Sequence, residues 1–269
     1  MIYIEDLSLN YPNQQQFEIF KPYGLTPKDV IDEIIKKTSA KKATFNGRLD
    51  PMACGCMRIY LDNACHLSQF DAGLDKNYRF KMGLGLESSS HDLLGFPEFD
   101  QTDEHIIYKI EPEISSFLHS LKTRYVQELP HFSSFRVENR EGLKQPLWWW
   151  KKNNKIQDVH VPSFERKLYD FKMNGAEYMP LSRVAEIAIE RISNISLKHE
   201  FYQREILHEW HKLRDPAVEI AVFEIQVSVS SGFYVRKLVE DIGVHLGVKT
   251  ITIEIERLNY FQSQQQQQS

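Results

Sequence analysis

Asn46-Gly47-Arg48-Leu49-Asp50-Pro51-Met52-Ala53-Cys54-Gly55 is the stretch on which the reading of this chain turns. Gly47 and Pro51 bracket an acid in a segment that suits neither a regular helix nor a central strand. Pro51 fixes φ and removes a backbone donor, and Gly47 opens conformations that other residues avoid. A loop so constrained can hold the Asp50 carboxylate in one orientation, with Leu49 as an apolar wall beside it. The same residues also suit a turn in which Asp50 caps a helix starting near Met52. On these residues alone both readings stand.

Upstream, residues 17–20 (Phe-Glu-Ile-Phe) form a short apolar run closed by the turn signal Lys21-Pro22-Tyr23-Gly24. Thr26 suits an N-cap with Pro27 at the first helical position, and Val30, Ile31, Ile34 and Ile35 recur at helical spacing. The basic tail of that helix, Lys36, Lys37, Lys41 and Lys42, either matches the helix dipole or offers phosphate contacts. Downstream, 57–61 and 78–84 read as strands, 88–95 as a polar loop, 111–122 as a helix behind Pro112, and 159–173 as a strand-pair region. Apolar residues at helical period among many charges make 181–213 one or two amphipathic helices. Residues 218–230 alternate strictly, a strand signature, and are followed by a helix over 235–246 and a strand over 250–256. Strands outnumber helices without regular alternation, so the fold class is α+β.

Composition sets outer bounds. With 42% hydrophobic and 26% charged residues over 269 positions, the chain can bury a real core and does not fit disorder or fibrous repeats. The net charge of −4 argues against a generally basic nucleic-acid coat but leaves room for a local patch. Apolar runs fall short of the ~20 residues of a membrane span, and the opening residues read as neither a signal nor a transit peptide. Cys54, Cys56 and Cys65 are odd in number and clustered, which suits reduced thiols in the cytoplasm. Their C-x-C spacing is a poor match to a zinc knuckle, so no metal is expected.

The loop at Asp50 resembles the signature of the TruB family of pseudouridine synthases, G-x-L-D-P-x-A-x-G, and further matches follow in order. Lys21-Pro22, Gly24 and Thr26 fit K-P-x-G-x-T; Lys76-Asn77-Tyr78 fits K-x-Y; Gly85, Ser88, Ser90, Asp92 and Gly95 fit a polar-loop motif with Ser for Thr. Gln127 to Ser133 fits Q-x-P-P-x-Y-S loosely. Gly232-Phe233-Tyr234-Val235-Arg236 fits G-T-Y-I-R, and Asp241-Ile242-Gly243 fits D-L-G. The resemblance implies a mixed, mainly antiparallel central sheet flanked by helices, with the active-site cleft across it. It implies isomerisation of a uridine in structured RNA, typically a tRNA T-arm stem-loop, without a cofactor, since the base is both leaving group and returning nucleophile. Asp50 matches the essential acid, as nucleophile or as base on the ribose. Arg236 matches the arginine that pairs with it, and Tyr78 the tyrosine that stacks on the base. Ile255 matches an apolar residue lining the uracil pocket, and Lys21, Phe45, Gly47, Arg48, Leu49 and Lys76 complete the expected substrate contacts. Reaching the glycosidic bond requires flipping the nucleotide out, offset by phosphate contacts from Arg48, Arg58, Lys76, Arg79, Lys36 to Lys42 and Arg136.

Several positions depart from the pattern. Phe45 stands where the family has a histidine, His66 where it has a lysine, and Arg48 where it has a small residue or Thr. These substitutions motivate a second reading, a TruB-like RNA-binding or assembly factor with weak or no catalysis. The expected organisation is an N-terminal extension (1–16), a catalytic domain (17–260) with a helical insertion at about 173–216, and a disordered Gln-rich tail (261–269). No PUA-type C-terminal domain is expected. The inserted helices offer a surface for a protein partner, and Trp148-Trp149-Trp150 is expected to bury against them.

Overall fold

The computed structural model describes residues 2–4, 15–38, 40–100 and 104–262. In chain order, strands β1 (Ile2–Tyr3) and β2 (Gln16–Lys21) lead into helix α1 (Pro27–Thr38), then β3 (Ala43–Asn46), β4 (Ala53–Leu61) and β5 (Asp75–Leu84). The short pair β6 (Leu86–Ser88) and β7 (Pro97–Phe99) precedes α2 (Glu104–Leu121). Next come β8 (Tyr125–Glu128), β9 (Arg136–Glu138), β10 (Lys144–Pro146), α3 (Leu147–Lys152), β11 (Ser163–Arg166) and β12 (Leu168–Pro180). The chain then runs through α4 (Leu181–Ser193), α5 (Gln203–Lys212), β13 (Glu219–Val229), α6 (Val235–Leu246) and β14 (Thr250–Phe261).

Eight strands form the central sheet in the order β1-β2-β4-β14-β5-β13-β12, with β3 also paired to β4. Pairing is antiparallel except between β1 and β2 and between β14 and β4. The alternation of β13 sorts its side chains by face. Phe223, Ile225 and Val227 join Ile114 and Leu118 of α2 and Leu238 and Ile242 of α6 in one core. Ile220 and Val222 face the other way, against Val184, Ala188 and Ile192 of α4 and Ile206 and Trp210 of α5. A third cluster packs Val30 and Ile34 of α1 on Ile19, Met57 and Ile59. Thr26 caps α1 as its sequence predicts: its hydroxyl accepts the Asp29 N–H (3.2 Å) while Asp29 reaches back to the Thr26 N–H (2.9 Å).

Local expectations fail where tertiary packing decides. α2 begins at Glu104 and carries Pro112 inside it rather than ahead of it. The helices begin at Leu181 as their periodicity predicts, but β12 runs on through Pro180, seven residues past the expected end of its strand region at 173. β11 and β12 do not pair with each other; β11 joins β8 and β12 joins β13. β14 runs five residues past the expected end, through Phe261, and residues 263–269 lie outside those described. Trp150 is buried, but among Leu129, Val137 and Leu147 rather than against α4 or α5. Those helices spend their apolar faces on the sheet, so those faces are not free for a partner. Among the described residues no helix is long and apolar enough to cross a membrane.

Candidate active site

β4 changes neighbours along its length, and the acidic loop leaves the sheet at that change. Its far half pairs with β3, ending at Asn46 opposite Arg58, while its start pairs with β14, with Ala53 opposite Ile255. Residues 47–52 pass through the gap between these partners. No helix starts at Met52; β4 begins at Ala53, so Asp50 caps nothing there.

Asp50 instead meets Arg236, the second residue of α6. Nε of Arg236 donates to Asp50 Oδ2 at 2.9 Å, and Nη2 lies 2.8 Å from the same oxygen as an ion pair. This fork on one oxygen leaves Oδ1 without a hydrogen bond among the described residues. The guanidinium is fixed on its other sides by the Ser90 carbonyl (2.8 Å), the Phe132 carbonyl (3.2 Å) and Asp92 Oδ2 (3.5 Å). Burial works against the Arg236 charge, but Asp50 and Asp92 outweigh it and raise its pKa. Asp92 is itself buried, which pushes its carboxyl up against the opposing pull of Arg236. Ser90 Oγ (2.6 Å) and the Leu94 N–H (2.9 Å) donate to Asp92 Oδ1 and orient it.

A cavity of about 230 Å³ opens beside Asp50. Its walls bring together Gly47, Arg48, Leu49, Asp50, Lys76, Tyr78, Arg236 and Ile255, eight of the ten residues singled out from sequence. Tyr78 stands on β5 opposite Val227 and Arg257 of its two neighbouring strands, and Ile255 lies opposite both Phe80 and Ala53. Two expected contacts are not brought to the cavity. Lys21 is fully buried with its ammonium on the Ala53 (2.6 Å) and Pro22 (2.9 Å) carbonyls, and burial pushes it down to about 7. Phe45 packs at the edge of the α1 cluster, with the Arg48 guanidinium 5.9 Å from its ring centre.

Asp50 is 31% exposed, so the free protein does not exclude water from its carboxylate. The expected phosphate-contact basic residues are partly spent: Arg58 pairs with Glu18 and Asp71, Arg79 with Glu256, and Lys36 with Glu33. Sequence reasoning missed Asp92 and Gln127 as supports, although both sit in quoted motifs. Gln127 donates to the Tyr234 carbonyl (2.9 Å) and accepts the Tyr234 N–H (2.8 Å), clamping the chain as α6 begins. Arg257 and Tyr234 also line the cavity and were missed; Tyr234 sits inside the motif that supplied Arg236, whereas Arg257 had no local signal.

The sequence profile of the TruB family pseudouridylate synthase N-terminal domain matches residues 36–177, just over half of the chain. The chain belongs to the TruB family. It is 26% identical over 240 residues to tRNA pseudouridine synthase B of Aquifex aeolicus, covering 89% of this chain and 66% of that protein. The corresponding Thermotoga maritima protein is 26% identical, covering 88% of this chain and 60% of its own length. The chain thus spans less than two thirds of the curated relatives it matches. A crystal structure of a Cbf5-Nop10-Gar1 complex contains a chain sharing the fold at TM-score 0.54 and 18% identity, over 97% of this chain and 53% of that one. This TruB-family fold is the mixed, mainly antiparallel sheet that the motifs imply.

Proposed function

We propose that this TruB-family chain is an RNA pseudouridine synthase that isomerises a uridine of structured RNA, the T-arm uridine of tRNA, in the cytoplasm and without a cofactor. The observation that carries this reading is the Asp50–Arg236 pair at a cavity it shares with Tyr78 and Ile255. Arg236 keeps Asp50 Oδ2 occupied and holds the carboxyl group in one orientation. Oδ1 is then the oxygen offered to the ribose, as nucleophile or as base on a ribose proton. The flipped uracil enters between Tyr78 and Ile255, where stacking on an aromatic ring contributes about 1–3 kcal/mol. Its arrival covers the exposed carboxylate and supplies the exclusion of water that the free protein lacks.

Asp50→Asn removes the charge at nearly constant volume, so conversion of uridine in tRNA transcripts is expected to vanish while RNA binding persists. Mass spectrometry of the transcript reads the first and a filter-binding titration the second. Comparison of pseudouridine sites in cells with and without the gene checks the reading in vivo; loss of no site would favour the assembly-factor alternative.

A further inference from the structure

Two buried cations line the same cavity and take no part in the chemistry above. Arg257 on β14 is fully buried, and Lys76 on β5 is 5% exposed. Arg257 donates through Nε to the Cys56 carbonyl (2.7 Å) and through Nη2 to the Gly47 carbonyl (3.0 Å), but Nη1 has no partner among the described residues. The Lys76 ammonium donates to the Leu74 carbonyl and to Ser231 Oγ (3.1 Å for the latter). Neither cation forms an ion pair among the described residues. The acid next to Lys76 in sequence, Asp75, is buried; its Oδ1 accepts the Ser231 N–H (3.2 Å) and its Oδ2 is unpartnered among the described residues. Asp75 pairs with neither cation and Asp50 is held by Arg236, so two buried positive charges line the cavity without an ion-pair partner among the described residues, a costly state unless an anion arrives. Burial, then the Arg257 charge, pushes the Lys76 ammonium down to about 8. Gly47 keeps the space between the cations open: its φ is +65°, and a Cβ there would stand 2.9 Å from Arg257 Nη1 and 3.5 Å from Lys76 Cε.

We propose that Lys76 and Arg257 form a phosphate subsite that receives the phosphodiester group adjoining the extruded uridine. The proposal rests on the RNA reading above and says where the backbone of that nucleotide is held. A phosphodiester carries the negative charge that neither cation meets among the described residues, and its two non-bridging oxygens suit two N–H donors. Gly47 and Asp50 are three residues apart, at most ~10 Å of chain, so one nucleotide can bring its ribose to Asp50 and its phosphate to the cations.

The test has two arms, both with the full chain. In the first, inorganic phosphate and chloride are compared at equal ionic strength by thermal unfolding of wild type, K76Q and R257K. Phosphate is expected to stabilise wild type selectively and to lose that effect in K76Q; equal responses to the two anions overturn the subsite. In the second, T-arm stem-loops carry one neutral methylphosphonate on either side of the target uridine, and binding is measured. One of the two replacements is expected to weaken wild-type binding about tenfold and to leave K76Q and R257K unaffected. K76Q is also expected to reduce the salt slope of log affinity by about one. Losses that add instead of coinciding, or that follow neither replacement, overturn the proposal, and a response to phosphate then marks an adventitious ion only. R257K removes a clamp on Cys56 and Gly47, so K76Q carries the test if R257K does not fold. Because binding is read, coincident losses in a chain that converts no uridine keep the subsite and overturn only the catalytic reading.

Discussion

At the scale of single residues, the site depends on how Arg236 is shared. Its guanidinium serves Asp50, Asp92 and two backbone carbonyls at once, so it cannot follow Asp50 if that side chain moves; Asp50 is held to Arg236 rather than the reverse. Arg236→Ala would leave Asp92 buried and unpaired and Asp50 without its cation. Loss of one partner of a buried pair costs about 3–5 kcal/mol, so a large drop in the urea midpoint is expected alongside a steep fall in kcat. Arg236→Lys keeps a charge but not the fork, and is expected to recover much of the stability and little of the turnover. Recovery of both would show that charge alone, without orientation, is what Asp50 requires. Sequence reasoning found Asp50, Tyr78 and Arg236 because each sits in a motif that resembles the family's; only Asp50, between Gly47 and Pro51, also carried a local constraint. It passed over Asp92 and Arg257 as site residues because a polar loop and a strand arginine look ordinary until the fold puts a guanidinium beside one and an empty cavity beside the other.

At the scale of elements, the parallel contact of β14 with β4 builds the site. It brings Ile255 beside Ala53 and Arg257 beside Gly55, and it displaces β3 so that the Asp50 loop can leave the sheet. Gly55 permits that contact: its φ is +111°, and a Cβ would lie 2.2 Å from the Arg257 carbonyl oxygen and 2.7 Å from its nitrogen. Both atoms are backbone and cannot yield cheaply. Gly55→Ala is therefore expected to destabilise the chain by more than about 2 kcal/mol, combining a strained φ with overpacking, and to reduce turnover through the shifted loop. Chemical denaturation measures the first, and an unchanged midpoint would mean the two strands separate without cost. Much of this architecture was legible: the alternation of β13, the cap of α1 and the span of α6 follow from local pattern. The neighbours of β14 were not, because pairing such as Ala53 with Ile255, about 200 positions apart, leaves no periodicity. Pro112 misled for a related reason: the helix-start signal is real, but packing of Ile110 and Ile114 on the sheet carries α2 through it.

At the scale of the whole molecule, charge totals conceal the arrangement that matters. The net −4 is compatible with RNA because acids neutralise outlying cations such as Arg58 and Arg79, while Lys76 and Arg257 stay unpaired by acids at the cavity. Burial of amines, imidazoles and thiols also makes stability depend on pH in a defined way. Lys21 and Lys76 are pushed down by burial to about 7 and about 8, and burial lowers His91 and His131 too. The native state sheds these protons before the unfolded chain does, so the unfolded chain binds more of them and stability rises with pH. For the lysines the rise begins near pH 7, at up to about 1.4 kcal/mol per pH unit for each group once it is neutral only in the native state. Cys54, Cys56 and Cys65 act in the opposite direction: burial raises their pKa, Cys56 to about 12. Unfolded thiols ionise near 8.5, so from there the native state binds more protons and the gain is returned. The urea midpoint is therefore expected to climb from pH 6, peak between about 8 and 9, and decline beyond. Lys21→Met should flatten the limb between 7 and 8.5 while leaving the alkaline decline intact. If the midpoint instead fell steadily from pH 7, Lys21 and Lys76 would be charged in the folded protein, and their surroundings would be wetter than their burial implies.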